Sequence, residues 1–295
     1  MMQSRQGQNF AKLQLIKNDK KLQNQGEILD FEAFFIAKIG TEWGRSEKLY
    51  EINILIKEKG GGFMNREFTF ESFILGASNE TAVKESKKYL SGEINEAMLL
   101  FYGESGNGKT HLALACANAL EDAGKKVLCK SAMGLSSEIY NAFFREKKDI
   151  YNEVFPKYKK YDALIIDDLR GLSGTEIMQE FFCNLINQYI SSEKKVILTL
   201  DNKDYESYLE KKLVKLVEKT YALEILEPDH QLLMNILQAK EKAYGVSLSN
   251  ITKEFMCDQA KSVGELWGLF QRGMLLSQCL GRQLDENLIY AVLEE

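Results

Sequence analysis

The chain has 295 residues, of which 45% are hydrophobic and 27% charged, and its formal net charge at pH 7 is −5. These values are typical of a globular protein of one or two domains and argue against gross disorder. The negative balance also argues against a protein that coats nucleic acid by bulk attraction, while a local basic surface stays open.

Cysteine usage and the amino terminus bear on location. The five cysteines are scattered, none stands in a C-x-x-C pair, and only two histidines are available, so the sequence argues against a zinc site. Scattered cysteines of this kind predict buried thiols in a reducing compartment. Met1–Gln8 is polar, with no apolar signal region behind it, and no apolar run reaches the roughly 18 residues of a membrane helix. We therefore expect a cytoplasmic protein without membrane contact.

The first 65 residues form the first of three segments. Short apolar runs such as Tyr50–Ile56 alternate partly and are β-branched, which favours a small, partly β-structured module over residues 1–65. The triplet Gly60–Gly62 is suited to a linker between this module and the next segment.

Residues 66–226 alternate strand-like and helix-like patterns. Strands are predicted at Ala97–Tyr102, Lys126–Cys129, Tyr161–Ile166 and Lys195–Leu200. Helices are predicted between and after them, at Thr110–Ala123, Leu135–Lys148 and Ile177–Ser191. Strands that are joined through helices predict a parallel sheet covered on both faces.

Residues 227–295 are helical in pattern. Helical spacing predicts four short helices, with Gly245 and Gly281 as stops. These predicted helices are His230–Tyr244, Ser249–Lys261, Val263–Leu280 and Asp285–Leu293. The fold class expected is therefore α/β, with a P-loop parallel sheet, an α-helical lid and a small N-terminal module.

A glycine-rich loop follows the first of the predicted strands and opens a helix. It fits G-x-x-x-x-G-K-[ST] at every fixed position and consists of Gly103, Glu104, Ser105, Gly106, Asn107, Gly108, Lys109 and Thr110. Glycines let backbone N–H groups point inward at phosphates, and the helix amino terminus favours the same charge. Lys109 is predicted to reach the β- and γ-phosphates and Thr110 to ligate Mg²⁺. The loop predicts binding of ATP or ADP with Mg²⁺.

Two acidic residues end the buried strand Ala163–Ile166, some 55 residues after the loop. Asp167 can hold Mg²⁺, and Asp168 can orient or deprotonate an attacking water. Asp201, after the strand Lys195–Leu200, is a further catalytic candidate, with Asn202 as a substitute. It reaches the γ-phosphate if its strand lies between the other two, and otherwise it is an ordinary turn residue.

The residues together resemble a known family. The leading segment Phe68–Asn79, the P-loop followed by His111, the strand with its Asp pair, Gln179–Phe182 and Ser262–Gly268 are similar to the AAA+ domain of the bacterial replication initiator DnaA. The resemblance covers roughly residues 68 to 280. It implies that the leading segment, including Leu75 and Gly76, lines the adenine pocket, and that His111 lies at the nucleotide site. Helicase loaders share the P-loop and the Asp pair but match the leading segment less well.

The chain departs from this family where the family uses arginine. The family's arginine finger, which meets a neighbouring subunit's nucleotide, falls here within Glu210–Lys219, where lysines stand instead. Lysine cannot form the same planar bidentate clamp. The family's lid arginine corresponds to Gly264, and Arg272 lies two turns farther on.

DNA-binding features of the family are also reduced. Basic residues that follow the Asp pair in the family are replaced by Gly174–Ile177, leaving Arg170 as the nearby cation. The sequence ends with the lid, so a C-terminal duplex-reading domain is expected to be absent. The lysine runs Lys157–Tyr161 and Lys211–Lys219 are either a DNA-facing edge or, more commonly, solvated helix faces.

The sequence therefore predicts a nucleotide-switched, DnaA-related regulator or accessory factor in DNA replication that contacts another AAA+ protein or replication component. Whether it hydrolyses ATP, binds DNA or forms a nucleotide-dependent oligomer stays open. The first alternative is an active ATPase that loads a helicase or remodels DNA, using an arginine supplied by a partner. The second is a structural adaptor with a vestigial site.

Overall fold

The computed structural model of the chain describes residues 66–145, 149–172, 176–201 and 204–293. The predicted N-terminal module at residues 1–65, together with Asn202, Gly174 and Thr175, lies outside the described residues. The division into three segments therefore stays a prediction.

Five strands and ten α-helices make up the regular structure of the described residues. The strands are β1 (Met98–Tyr102), β2 (Val127–Ser131), β3 (Ala163–Asp167), β4 (Lys195–Leu200) and β5 (Tyr221–Glu224). The helices are α1 (Glu80–Ser91), α2 (Lys109–Asp122), α3 (Ala132–Tyr140), α4 (Pro156–Lys159), α5 (Glu176–Ser191), α6 (Lys211–Val217), α7 (His230–Tyr244), α8 (Asn250–Gln259), α9 (Val263–Leu280) and α10 (Glu286–Leu293). Short 3₁₀ helices occupy Leu169–Leu172 and Asp204–Ser207, and π-helical turns occupy Asn141–Arg145 and Ile150–Val154.

The strands form one parallel sheet in the order β2-β3-β4-β1-β5. Strand β4 therefore lies between β1, which leads into the P-loop, and β3, which ends in the Asp pair. Because all strands run in one direction, their carboxyl ends meet at the same edge of the sheet. This order is what brings Asp167, Asp201 and the loop together.

Both faces of the sheet are covered, as predicted, and successive residues of one strand serve opposite faces. Along β1, Leu99 and Phe101 belong to the core cluster that includes α1 and α2, whereas Met98 and Leu100 belong to the cluster on the α3 and α5 side. All four side chains are buried, which explains why the strand is an unbroken apolar run.

The lid consists of α7 to α10 around its own apolar cluster. Side chains cap three of its helices: Asp229, Ser249 and Ser262 each accept a hydrogen bond from a backbone N–H three residues on. Gly245 and Gly281 end α7 and α9 in the left-handed conformation, as predicted. Among the described residues, no helix combines the length and the apolar character that crossing a membrane requires.

The structure differs from the sequence prediction in several elements. The expected helix Leu135–Lys148 begins earlier, at Ala132, and passes at Asn141 into a π-helical turn. Helix α1 and strand β5 were not predicted. The burial pattern of β5 explains its omission, because only Leu223 of its four residues is buried and no apolar run marks it.

Candidate functional site

The backbone of the P-loop adopts conformations that favour glycine. Gly103, Gly106 and Gly108 have φ angles of 145°, 84° and 102°. A Cβ on Gly103 would lie 2.2 Å from the Ile225 carbonyl oxygen, so glycine is also required there for space. The loop leaves Glu104, Ser105 and Gly106 exposed.

Lys109 is the first residue of α2 and is buried, with 6% of its surface exposed. Its Nζ donates to the carbonyl oxygens of Gly103 at 2.9 Å and Glu104 at 2.8 Å, and forms an ion pair with Asp201 at 2.9 Å. A buried ammonium must be paired because desolvation penalises an isolated charge. The contact of Lys109 with the β- and γ-phosphates stays a prediction.

Thr110 and Asp167 are in direct contact across the site. The Thr110 hydroxyl lies 2.9 and 2.8 Å from the two carboxylate oxygens of Asp167. Thr199, from β4, donates its hydroxyl to Asp167 at 2.7 Å. Burial raises the pKa of Asp167 from its ordinary value, against the opposite effect of these two hydroxyl donors. The structure thus joins the two residues that the sequence proposed as Mg²⁺ ligands.

Asp168 has an unusual backbone for a residue other than glycine, with φ at 55°. Its N–H donates to the Thr199 hydroxyl at 2.7 Å, and its carbonyl accepts from Gly171, contacts that hold this conformation. Its carboxyl reaches solvent, yet partial desolvation, followed by repulsion from Asp201 and Asp167, raises its pKa to about 6.

Asp201 stands at the carboxyl end of β4, beside the loop. Its Oδ1 pairs with Lys109 at 2.9 Å and its Oδ2 accepts from Arg170 Nη2 at 2.6 Å. The side chain of Asp201 is 16% exposed. The condition that the sequence set for Asp201, a strand between β1 and β3, is met by β4.

The leading segment packs against α2 through His111. His111 Nε2 lies 3.2 Å from both the Ser72 hydroxyl and the Thr69 carbonyl oxygen. Phe68 and Phe73 approach the His111 ring edge-on, with centroids 4.8 and 4.9 Å away. Burial lowers the pKa of His111 to about 4. These contacts fasten the segment to α2, and the proposed nucleotide contact of His111 stays a prediction.

Leu75 and Gly76 lie where the sheet domain meets the lid. Leu75 is half exposed, and a Cβ on Gly76 would lie 3.0 Å from the Cβ of Leu232 in α7. Leu226, which precedes the lid, donates its N–H to the Ser78 carbonyl and also exposes its side chain. Exposed apolar side chains at this junction suit the predicted adenine pocket, which stays a prediction.

The amino terminus of α9 touches the P-loop directly. The N–H of Gly264 donates to the carbonyl oxygen of Gly106 at 2.9 Å. A Cβ on Gly264 would lie 3.0 Å from Gly106 Cα, and one on Gly106 would lie 2.7 Å from the Ser262 hydroxyl. The absence of side chains at both glycines is what permits this backbone contact. Arg272 is directed elsewhere, since its Nε donates to the Gly268 carbonyl of its own helix.

Two of these residues had not been singled out from the sequence. Thr199 lies in an apolar strand, where a single threonine is common and predicts no function. Its role in positioning Asp167 and Asp168 is visible only from its hydrogen bonds to them. Arg170 had been noted only as a nearby cation, because nothing in its local sequence indicates the pairing with Asp201.

Comparison with known proteins agrees with the geometry. The family profile described as the bacterial DnaA ATPase domain matches residues 64–220. The chromosomal replication initiator protein DnaA of Geotalea uraniireducens (strain Rf4) is 31% identical over 238 residues, which are 79% of this chain and 52% of that protein. DnaA of Aquifex aeolicus (strain VF5) is 31% identical over 210 residues, covering 70% and 51%. The chain spans about half the length of the curated relatives that it matches.

Solved structures give the same result. AMPPCP-bound DnaA from Aquifex aeolicus superimposes with a TM-score of 0.64 at 29% identity, covering 75% of this chain and 69% of that one. Domain III of the Thermotoga maritima replication initiation protein DnaA gives 0.70 at 22% identity, covering 78% and 97%, which supports the fold alone. The predicted fold class, a P-loop AAA+ sheet with a helical lid, is confirmed.

Proposed function

The chain belongs to the bacterial DnaA ATPase-domain family, and on that premise we propose that it is a nucleotide-switched regulator or accessory factor in DNA replication. In this proposal it binds ATP or ADP with Mg²⁺ and changes its contacts with another AAA+ protein or replication component according to the nucleotide bound. The observation that carries the nucleotide site is the contact of Thr110 with Asp167 beside a glycine-conformation P-loop.

The site fits a phosphate chain. The loop's backbone is open at Glu104–Gly106, Lys109 supplies a buried cation, and α2 begins at the loop so that its first N–H groups face the same point. Asn107 is 4% exposed, and neither of its side-chain polar atoms has a hydrogen-bond partner among the described residues. An amide held this way is expected to gain a partner from a ligand or an ordered water.

The site also fits Mg²⁺. The cation prefers oxygen ligands and keeps several waters, and Thr110 and Asp167 provide a hydroxyl and a carboxylate in contact with one another. In this proposal these two residues hold the ion, which when bound supplies charge neutralisation at the phosphates. Thr199 fixes the Asp167 carboxylate in the required position.

Slow turnover is part of the proposal. In this proposal Asp168 accepts a proton from an attacking water; partial desolvation, then repulsion from Asp201, raises its pKa and supports this role. Helix α6, where the resemblance expects an arginine finger, instead exposes Lys211, Lys212 and Lys215. An arginine finger typically contributes about 10³–10⁵ in rate, and lysine does not form the same bidentate contact. The site keeps the groups that bind nucleotide, but α6 offers no arginine finger to neutralise the charge of the transition state. This combination favours a nucleotide-dependent switch over a rapidly hydrolysing ATPase.

Calorimetric titration of the full chain with Mg²⁺ and either ADP or AMPPCP tests the binding site. We expect binding by the wild type and a loss of at least about tenfold in affinity in Lys109→Ala, since charge-assisted hydrogen bonds are removed. Lys125→Ala, at an exposed lysine outside the site, is the matched control and should leave affinity unchanged. A folded wild type that binds neither nucleotide would overturn the proposal.

Hydrogen exchange in the two nucleotide states tests the switch. We expect protection at the start of α9 to differ between the ADP and AMPPCP forms, because Gly264 contacts the P-loop backbone. Identical exchange in both states would contradict a nucleotide-dependent output.

An active ATPase is the second candidate, favoured by the placement of Asp168 beside Asp167 and Asp201. Phosphate release that rises on adding single-stranded DNA or a partner AAA+ protein, and falls in Asp168→Asn, would support it. The DnaA structure described as bound to AMPPCP and single-stranded DNA, 29% identical to this chain, makes single-stranded DNA the first ligand to test. Turnover that stays at the background rate under all these conditions would exclude it.

A further inference from the structure

Arg170 contacts the charged groups of the P-loop site. Arg170 lies in the 3₁₀ helix Leu169–Leu172, directly after the Asp pair. Its Nη2 donates to Asp201 Oδ2 at 2.6 Å, while the other oxygen of the same carboxylate pairs with Lys109 at 2.9 Å. A single carboxylate therefore joins the P-loop ammonium to this guanidinium.

Burial differs along this chain of charges. The side chains of Lys109 and Asp201 are 7% and 16% exposed, whereas that of Arg170 is 44% exposed. The two inner groups are held within the site, and the Arg170 side chain is the more exposed one, at its rim. A guanidinium carries several N–H donors, so one arginine can bind more than one acceptor.

A terminal phosphate beside Asp201 would meet a carboxylate of like charge. Lys109 is the shared cation of the loop, and its Nζ also contacts the carbonyls of Gly103 and Glu104. When a phosphate pairs with Lys109, the carboxylate of Asp201 needs another cation beside it. Without one, the negative charges of the phosphate and of Asp201 would repel each other strongly at this partly desolvated site. Arg170 is already in place for this.

Three other arginines, Arg66, Arg272 and Arg282, make their contacts elsewhere. Arg272 donates Nε to the carbonyl of Gly268 in its own helix. Arg66 pairs with Glu121 and Asp122 at the far end of α2, and Arg282 pairs with Asp285. The lid offers glycine at position 264, which contacts the loop by its backbone.

We propose that Arg170 binds the γ-phosphate from within the same chain and makes the site prefer a nucleoside triphosphate to a diphosphate. This inference rests on the proposed nucleotide site and assigns to Arg170 the discrimination between ATP and ADP. Asp201 acts as the positioning residue, since it holds the guanidinium next to the P-loop lysine. ADP lacks the terminal phosphate that Arg170 would bind, so its affinity would not depend on this arginine.

Calorimetric titration of the full chain with Mg²⁺ and either AMPPCP or ADP tests the assignment. In Arg170→Ala we expect AMPPCP affinity to fall about 10- to 100-fold, the effect of removing a charge-assisted hydrogen bond, with ADP affinity within about twofold of wild type. Arg170→Lys should restore part of the AMPPCP affinity, because it keeps the charge and loses the fork. Arg66→Ala, which removes a surface arginine far from the loop, should change neither affinity.

Arg170→Gln gives a second variant of similar length, in case the alanine variant is poorly folded, and it should show the same selective loss. Unchanged AMPPCP affinity, or an equal loss for both nucleotides in the two variants, would overturn the assignment. A wild type that binds neither nucleotide would instead refute the proposed nucleotide site, so the two failures are distinguishable.

Discussion

Thr199→Val is the most direct test of how the sheet builds the site. The Thr199 side chain is 1% exposed, and its hydroxyl makes two contacts of 2.7 Å, donating to Asp167 and accepting from the N–H of Asp168. Valine keeps the shape and removes both contacts. The Asp168 N–H and the Asp167 carboxylate then each lose a buried partner.

The magnitude follows from those two losses. A buried polar group left without a partner costs about 1–3 kcal/mol. The added methyl group gives back about 1 kcal/mol through apolar burial. We therefore expect the free energy of unfolding to fall by about 1–5 kcal/mol, together with weaker binding of Mg²⁺-AMPPCP, since Asp167 loses the donor that orients it.

Urea denaturation followed by circular dichroism gives the stability change, and calorimetry gives the affinity. Ile197→Val, two residues earlier in β4 and fully buried, is the matched control: it should cost about 0.5–1.5 kcal/mol without affecting nucleotide affinity. Thr199→Ser keeps the hydroxyl and should retain affinity. A Thr199→Val protein within about 0.5 kcal/mol of wild type and of equal affinity would refute the reasoning.

Two further predictions concern the lid and the leading segment. Gly264→Ala places a Cβ 3.0 Å from Gly106 Cα, so we expect faster hydrogen exchange in the first turn of α9. The control, Gly268→Ala, meets open space in the same helix and should raise the free energy of unfolding by about 0.5–1 kcal/mol. Equal exchange in both variants would contradict the lid contact. Burial lowers the pKa of His111 from its ordinary 6.5 to about 4, so the unfolded state takes up the proton at a higher pH than the folded state does. The free energy of unfolding therefore falls by up to about 3 kcal/mol as the pH drops from about 6.5 to 4. Urea denaturation across this range should show a smaller loss in His111→Gln than in the wild type; the same loss in both proteins would rule out His111 as the cause.

The sequence by itself determined the elements whose signal is local. The P-loop is readable because its glycines, Lys109 and Thr110 are contiguous, and β1 is readable because burial on both faces makes it an apolar run. The glycine stops of α7 and α9 are equally local, since the left-handed conformation depends on one residue. Strand β5 escaped prediction because most of its residues are not buried.

Only the tertiary structure decided which of these elements meet. The position of β4 between β1 and β3 brings Thr199 to Asp167 and Asp201 to Lys109, and no local pattern encodes that order. The same holds for Gly264 and Gly106, which are distant in sequence and share a backbone hydrogen bond because neither carries a side chain. Periodicity and turn chemistry act over a few residues, whereas strand order and lid docking depend on how all the apolar faces are buried together.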